Sequence, residues 1–190
     1  MNVIAHIRKA TQQNVALENT HPFRREMWGK DWIFAHNGDL GEHRPPLSGR
    51  FLPVGQTDSE HAFCQILEYL WHHFGPIQPD LDDLATAIAE IATTIAEHGT
   101  FNFLLSNGEA LFARCSTQLS YVIRQAPFSK ARLVDADLSV DFAQVTTPDD
   151  RVAVIATEPL TNNEQWTHFT PAQLILFRDG DAVRKITSSW

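Results

Sequence analysis

Two stretches of the chain carry apolar residues at helical spacing. Phe63, Ile66, Leu67, Leu70, Trp71 and Phe74 form one stripe, and Leu81, Leu84, Ala85, Ile88, Ile91, Ala92 and Ile95 form another. Each predicts a helix with a single buried face. Thr57 and Glu60 stand at capping-box spacing ahead of the first helix, with Asp58 at the first helical position, where the dipole favours a carboxylate. Gly75-Pro76 ends that helix. Asp80 caps the second, and Gly99 closes it at the C′ position.

Elsewhere the pattern is one of short apolar runs. Val3-Ile4-Ala5-His6-Ile7 predicts a strand, and polar residues follow from Arg8 to Asn14. Pro22 imposes an extended geometry on His21. Gly29-Lys30-Asp31 turns the chain into Trp32-Ile33-Phe34-Ala35, a short buried strand predicted to stop at Asn37-Gly38, since both residues tolerate positive φ. Residues 44–53 read as loop. Strands over 101–106 and 109–114 flank Asn107-Gly108, and strands over 174–177 and 182–186 flank Asp179-Gly180, so each pair predicts a hairpin. Residues 118–124 and 151–157 read as further strands. Residues 132–142 read as extended, with Asp135, Asp137 and Asp141 among apolar neighbours. No repeat, low-complexity tract or linker divides the chain. The expectation is one α+β layered domain over residues 1–190, with antiparallel strands and two adjacent helices.

Composition narrows the function classes. A length of 190 residues supports a substantial core, and 43% apolar with 20% charged residues is ordinary for a globular protein. The formal charge of −8, with no basic run to offset it, argues against nucleic acid as the main partner. Two cysteines, Cys64 and Cys115, give neither a disulfide framework nor metal-type spacing. No apolar stretch approaches bilayer length, and the N-terminus lacks the build of a signal peptide. The expectation is a cytoplasmic protein with no membrane partner.

Candidate chemistry lies in four separated groups. The Asn37 amide and the Gly38 backbone N–H are two donors side by side, and two fixed donors converging on one oxygen stabilise an acyl-transfer oxyanion. Arg8 suits a bidentate grip on a carboxylate, with the Thr11 hydroxyl beside it. Asp58 suits an ammonium group. A ligand with a carboxylate, an amine and a side-chain carbonyl is an amino acid such as glutamine. Taken singly, each group has a plainer explanation: a surface arginine, a helix start, a turn.

Taken together, His6-Ile7-Arg8-Lys9-Ala10-Thr11, Asn19-Thr20-His21-Pro22-Phe23, Phe34-Ala35-His36-Asn37-Gly38 and Thr57-Asp58-Ser59-Glu60 stand in the order and spacing of a known family. The chain resembles the class-II glutamine amidotransferases, most of all their stand-alone bacterial, YafJ-like group. Later stretches, residues 133–142 and 156–166, resemble the same group, so the likeness covers essentially the whole chain. Four motifs in register are far more specific than one. The resemblance implies an N-terminal-nucleophile hydrolase with an αββα sandwich. It implies that Arg8 and Thr11 bind the glutamine α-carboxylate, that Asn37 and Gly38 form the oxyanion hole, and that Asp58 holds the α-amino group. His21 lies in a matching motif without an assigned role. Lys9 and Gln12 depart from the Trp and His found at the matching positions of the large synthase-type members, so the carboxylate contacts are expected to differ in detail.

The departure that matters most concerns the nucleophile. In the family it is an N-terminal cysteine whose thiolate attacks the γ-carboxamide while its own α-amine serves as base. Here Asn2 follows Met1 and the first cysteine is Cys64, on a predicted helix face. The expectation is a domain truncated at its N-terminus relative to the family and inactive alone. A gene-model error, a separately encoded complementing chain and a retained binding module are ranked in that order, with a homo-oligomer also open. No cofactor or metal is expected. A metal enzyme is the rival from another class, resting on His72-His73, on His6, His21 and His36, or on Asp135 and Asp137. None of these has ligand spacing that demands a metal. A non-catalytic glutamine- or γ-glutamyl-binding module needs only Arg8, Asp58, Asn37 and Gly38.

Overall fold

The computed structural model describes residues 1–7, 16–136, 138–144 and 146–188. After a short 3-10 turn at Leu17–Asn19, strand β1 (Phe23–Met27) and strand β2 (Lys30–Asp39) form a hairpin. Trp28 and Gly29 make its two-residue loop with φ of 56° and 71°, the both-positive geometry of a type I′ turn. Helices α1 (Asp58–Phe74) and α2 (Leu81–Ala96) follow, then β3 (Thr100–Ser106), β4 (Leu111–Arg114), β5 (Ser120–Gln125), β6 (Lys130–Arg132), β7 (Ser139–Asp141), β8 (Arg151–Ala156), β9 (Thr167–His168), β10 (Gln173–Arg178) and β11 (Asp181–Thr187).

The strands form a six-stranded sheet in the order β1-β2-β3-β4-β10-β11, a three-stranded sheet β8-β5-β9 and a two-stranded ribbon β6-β7. All the pairings are antiparallel. Alternation along the strands builds two cores. Trp32, Phe34, Phe101, Phe103, Leu105, Phe112, Leu174 and Leu176 turn to one face, where α1 and α2 cover them with Phe63, Ile66, Leu67, Leu70, Leu84, Ile88 and Ile95. Leu111, Ala113, Cys115, Ile175 and Phe177 turn to the other face and meet Leu119, Tyr121 and Phe169 around the small sheet. Among the described residues the layers are therefore helix, sheet, sheet, an α+β sandwich.

The helix signals act as the sequence suggests, with two differences. Thr57 Oγ1 accepts the Glu60 N–H at 3.1 Å, but the Glu60 carboxylate does not complete the capping box. It accepts instead from Arg25 Nη2 at 2.5 Å, Val54 N at 3.0 Å and Gly55 N at 2.7 Å, pinning the preceding loop. Glu68 does the same one face over, accepting from Ser48, Gly49 and Phe51 N–H groups of the 44–53 loop. Asp80 caps α2 through Asp83 N at 2.9 Å. That helix stops at Ala96 with Glu97 as C-cap, earlier than Gly99 suggested.

Several strand expectations need correction. Residues 3–7 do not form a strand: the alternation is present, but none of these residues enters a ladder. The hairpin at Asn107-Gly108 has a four-residue loop, Ser106 pairing with Leu111, because Asn107 Oδ1 caps the N–H groups of Glu109 and Ala110. Residues 132–142 are not one extended segment. β6 and β7 pair with each other, and Asp135 lies on the bend between them; its partner in the sequence reading, Asp137, falls outside the described residues. The Asp179-Gly180 hairpin forms as expected, with φ of 51° and 77°.

Candidate functional site

Asn37 and Gly38 do not turn the chain. They lie inside β2, opposite Asn102 and Phe101 of β3. The glycine is required for close approach rather than for positive φ. A Cβ on Gly38 would fall on the Thr100 carbonyl oxygen, with the carbonyl carbon at 2.7 Å and His36 Nε2 at 2.6 Å. The end of β2 is thus pressed against the start of β3, and both Asn37 and Gly38 remain exposed.

Strand parity sets which way this backbone points. The two-residue hairpin closes on the Met27–Lys30 pair, which in such a loop is a hydrogen-bonded pair. From there every second residue, Trp32, Phe34, His36 and Gly38, turns its N–H and C=O toward β1. β1 ends at Phe23, opposite Phe34. Among the described residues no strand lies beside the backbone groups of His36 and Gly38 on that side, while Asn37 faces β3, where Asn102 Nδ2 donates to its carbonyl at 3.0 Å.

Asp58 lies beside this corner. Its Oδ2 accepts the Leu40 N–H at 2.9 Å and its Oδ1 the Ser59 N–H at 2.8 Å, which ties the first turn of α1 to the end of β2. Burial works against ionisation of Asp58, but the Leu40 N–H, the His36 ring, the Ser59 N–H and Arg44 together hold its carboxyl below the usual range. A carboxylate with one strong bond on each oxygen keeps lone pairs free for a cation.

His36, next to Asn37, is buried. Its Nε2 lies 3.0 Å from the Thr100 carbonyl and its Nδ1 2.9 Å from Ser59 Oγ. A carbonyl only accepts, so Nε2 carries the proton. Burial, aided by His6, pulls the ring's pKa down against the Thr100 carbonyl, Asp58 and Asp39, so the neutral ring receives the Ser59 O–H at Nδ1. His21 is buried, its ring tilted against His6 at 4.4 Å and against Phe23 at 4.5 Å between centroids, and its peptide to Pro22 is cis.

Arg8 and Thr11 lie outside the described residues. Cys64 and Cys115 are both fully buried, and burial pushes the Cys64 thiol up to about 11 and raises Cys115 as well. Among the described residues no three His, Cys, Asp or Glu side chains are grouped to hold a metal ion, and no helix is long and apolar enough to cross a membrane. The sequence reading missed Asn102, Ser59 and Thr100. Only Asn102 left a trace, as one polar residue in the apolar run 101–105.

This fold and corner have relatives. The family profile described as glutamine amidotransferases class-II matches residues 1–190, and the chain belongs to that family. A protein of Haemophilus influenzae named as a candidate glutamine amidotransferase is 48% identical over 98% of this chain and 63% of its own length. The Escherichia coli K12 protein YafJ, named in the same way, is 46% identical over 96% of this chain and 71% of its own. The chain thus spans roughly two thirds of these relatives. The crystal structure of a predicted glutamine amidotransferase from Pseudomonas aeruginosa superposes with a TM-score of 0.81 at 46% identity, covering 88% of this chain and 66% of that one. The phosphoribosylpyrophosphate amidotransferase of Bacillus subtilis superposes at 0.50 with 13% identity over 94% of this chain and 34% of that one, a likeness of fold alone. The fold is of the Ntn-hydrolase kind.

Proposed function

We propose that this chain supplies the substrate-gripping and oxyanion-stabilising part of a domain that hydrolyses the γ-amide of glutamine or of a γ-glutamyl compound. The observation that carries the reading is the meeting of Asp58 with the end of β2 through Leu40, two residues beyond a Gly38 N–H that points past the end of β1. In this reading Asp58 takes the α-ammonium, Arg8 and Thr11 take the α-carboxylate, and Asn37 Nδ2 with the Gly38 N–H receives the amide oxygen. A cysteine thiolate forms the C–S bond to the carbonyl carbon of the γ-carboxamide, and the negative charge moves to the oxygen. The C–N bond then breaks, and ammonia or an amine leaves with a proton from the base. Water hydrolyses the γ-glutamyl thioester to the free acid. Both cysteines are buried with raised thiol pKa values, so in this reading neither supplies that thiolate and this chain alone binds without turnover. Burial of both cysteines equally supports the second reading, a non-catalytic glutamine- or γ-glutamyl-binding module.

Calorimetry on the 190-residue chain tests the shared core of both readings. Glutamine should release heat on binding, and Asp58→Asn or Arg8→Ala should abolish it. The same preparation should release no ammonia from glutamine. Turnover that Cys64→Ala removes would show that the nucleophile has been misplaced, and no binding by the intact chain would remove both readings.

A further inference from the structure

Asn102 is only 2% exposed, between Phe101 and Phe103 in β3, and its amide is fully committed. Nδ2 donates to the Asn37 carbonyl at 3.0 Å and to Thr117 Oγ1 at 3.0 Å. Oδ1 accepts the Ser116 N–H at 2.8 Å and the Thr117 N–H at 3.0 Å. A carboxamide has two donors and one oxygen with two lone pairs, so every bonding site is used and the partners fix which end is which. The far end is itself anchored, because Ser116 Oγ accepts from Arg114 Nη1 at 2.8 Å and from the Phe101 N–H at 3.1 Å.

What this rigid amide holds is a single peptide plane. Resonance keeps the Asn37 C=O and the Gly38 N–H in one plane, pointing opposite ways, so fixing the carbonyl aims the N–H. The plane lies close to the end of the ladder, where Asn37 faces Asn102 and Asp39–Thr100 is the last pair of β2 with β3, so the side-chain bond reinforces a backbone pairing that stops one pair beyond Gly38.

We propose that Asn102 is a positioning residue that aims the Gly38 N–H at the amide oxygen of the substrate. The inference rests on the glutamine-binding reading and adds to it the group that sets the oxyanion donor. Asn102 does not touch the ligand; it acts through the Asn37–Gly38 peptide.

Asn102→Asp tests this on the full chain. The variant is nearly isosteric and keeps the acceptor for Ser116 and Thr117, but it loses the donor to Asn37. Without ligand, the Gly38 amide resonance should shift and broaden. With ligand, glutamine affinity should fall about tenfold, the scale of one well-placed hydrogen bond. Affinity for 2-aminopentanoate, which has the same amino acid head and no side-chain carbonyl, should not change. An unmoved Gly38 resonance overturns the proposal. So does an equal loss for both ligands, which is what a merely structural role gives. A wild-type chain that does not prefer glutamine over 2-aminopentanoate removes the binding reading, and the aim at a substrate with it, while the ligand-free shift separately reports whether Asn102 sets the plane. If Asn102→Asp does not fold, the scalar coupling across the hydrogen bond from the Asn102 side-chain nitrogen to the Asn37 carbonyl carbon, read in wild type, decides in its place, and its absence overturns the proposal.

Discussion

Gly38→Ala separates the two uses a glycine can have. If Gly38 were a turn residue at positive φ, alanine would cost about 1 kcal/mol, the usual left-handed penalty. The structure requires more. The added Cβ would fall on the Thr100 carbonyl oxygen, with its carbon at 2.7 Å and His36 Nε2 at 2.6 Å. The first two are backbone atoms of β3, and the third belongs to a buried ring hydrogen-bonded at both nitrogens, so none is a flexible chain end that can swing aside. Relief requires β2 to part from β3, and overpacking of this kind sits at the upper end of its range, about 3 kcal/mol. For a chain of this size that is roughly 6–12 °C in Tm. Urea unfolding followed by tryptophan fluorescence measures it, because Trp32 is fully buried in the same strand. Glutamine binding should be lost even where the variant is folded. A variant within about 0.5 kcal/mol of wild type, the range of ordinary surface changes, would refute the close approach and return Gly38 to a turn-like role.

Two further outcomes follow from the same core. Glu60→Ala strips the acceptor from Arg25 and from two loop N–H groups in a site where the carboxylate is nearly inaccessible, so it should destabilise by roughly 3–5 kcal/mol in the same urea assay; a loss under about 1 kcal/mol, the scale of an exposed ion pair, would contradict that burial. Stability should also decline in acid in two steps. Burial lowers the pKa of His36 and of His43 below the unfolded value, so the unfolded chain binds more protons once pH drops below about 6.5. Glu68 and Asp58 are also held low in the fold, burial opposing but the loop and Leu40 N–H groups prevailing. Their contribution is complete above about pH 4.5 and is lost as pH falls through the folded values. His36→Gln should flatten the upper step in denaturant midpoints taken between pH 7.5 and 5.5, and an unchanged slope would contradict a neutral His36.

What the sequence makes legible here is what local chemistry decides. The two helices and the Thr57 and Asp80 caps follow from a 3.6-residue period and short-range bonds, and Asp179-Gly180 acts as a turn because both its residues take positive φ. The first hairpin turns at Trp28-Gly29 rather than over Gly29-Lys30-Asp31, since Lys30 and Asp31 already pair with Met27 and Glu26. Where a partner distant in sequence decides, the reading stops. Glu60 has capping-box spacing, yet its carboxylate is drawn to Arg25, 35 residues earlier, since a guanidinium and two loop N–H groups outweigh one reciprocal N–H bond. Residues 3–7 have strand alternation, but alternation shows only that a segment can pair, and no ladder partner meets it. Asn37-Gly38 is the sharpest case. The same two letters specify a tight turn or a strand that must be grazed by its neighbour, and only β3, arriving 60-odd residues later with Thr100 at its start, selects the second. That choice also matters chemically. In a turn the Gly38 N–H would follow the loop's own flexibility, whereas in a strand whose neighbour β3 meets it at Thr100 and Asn102 its direction is held by the ladder. An oxyanion donor has to be preorganised to lower a barrier. The motif therefore proposes which residues form the site, but how they are held depends on contacts that no local pattern encodes.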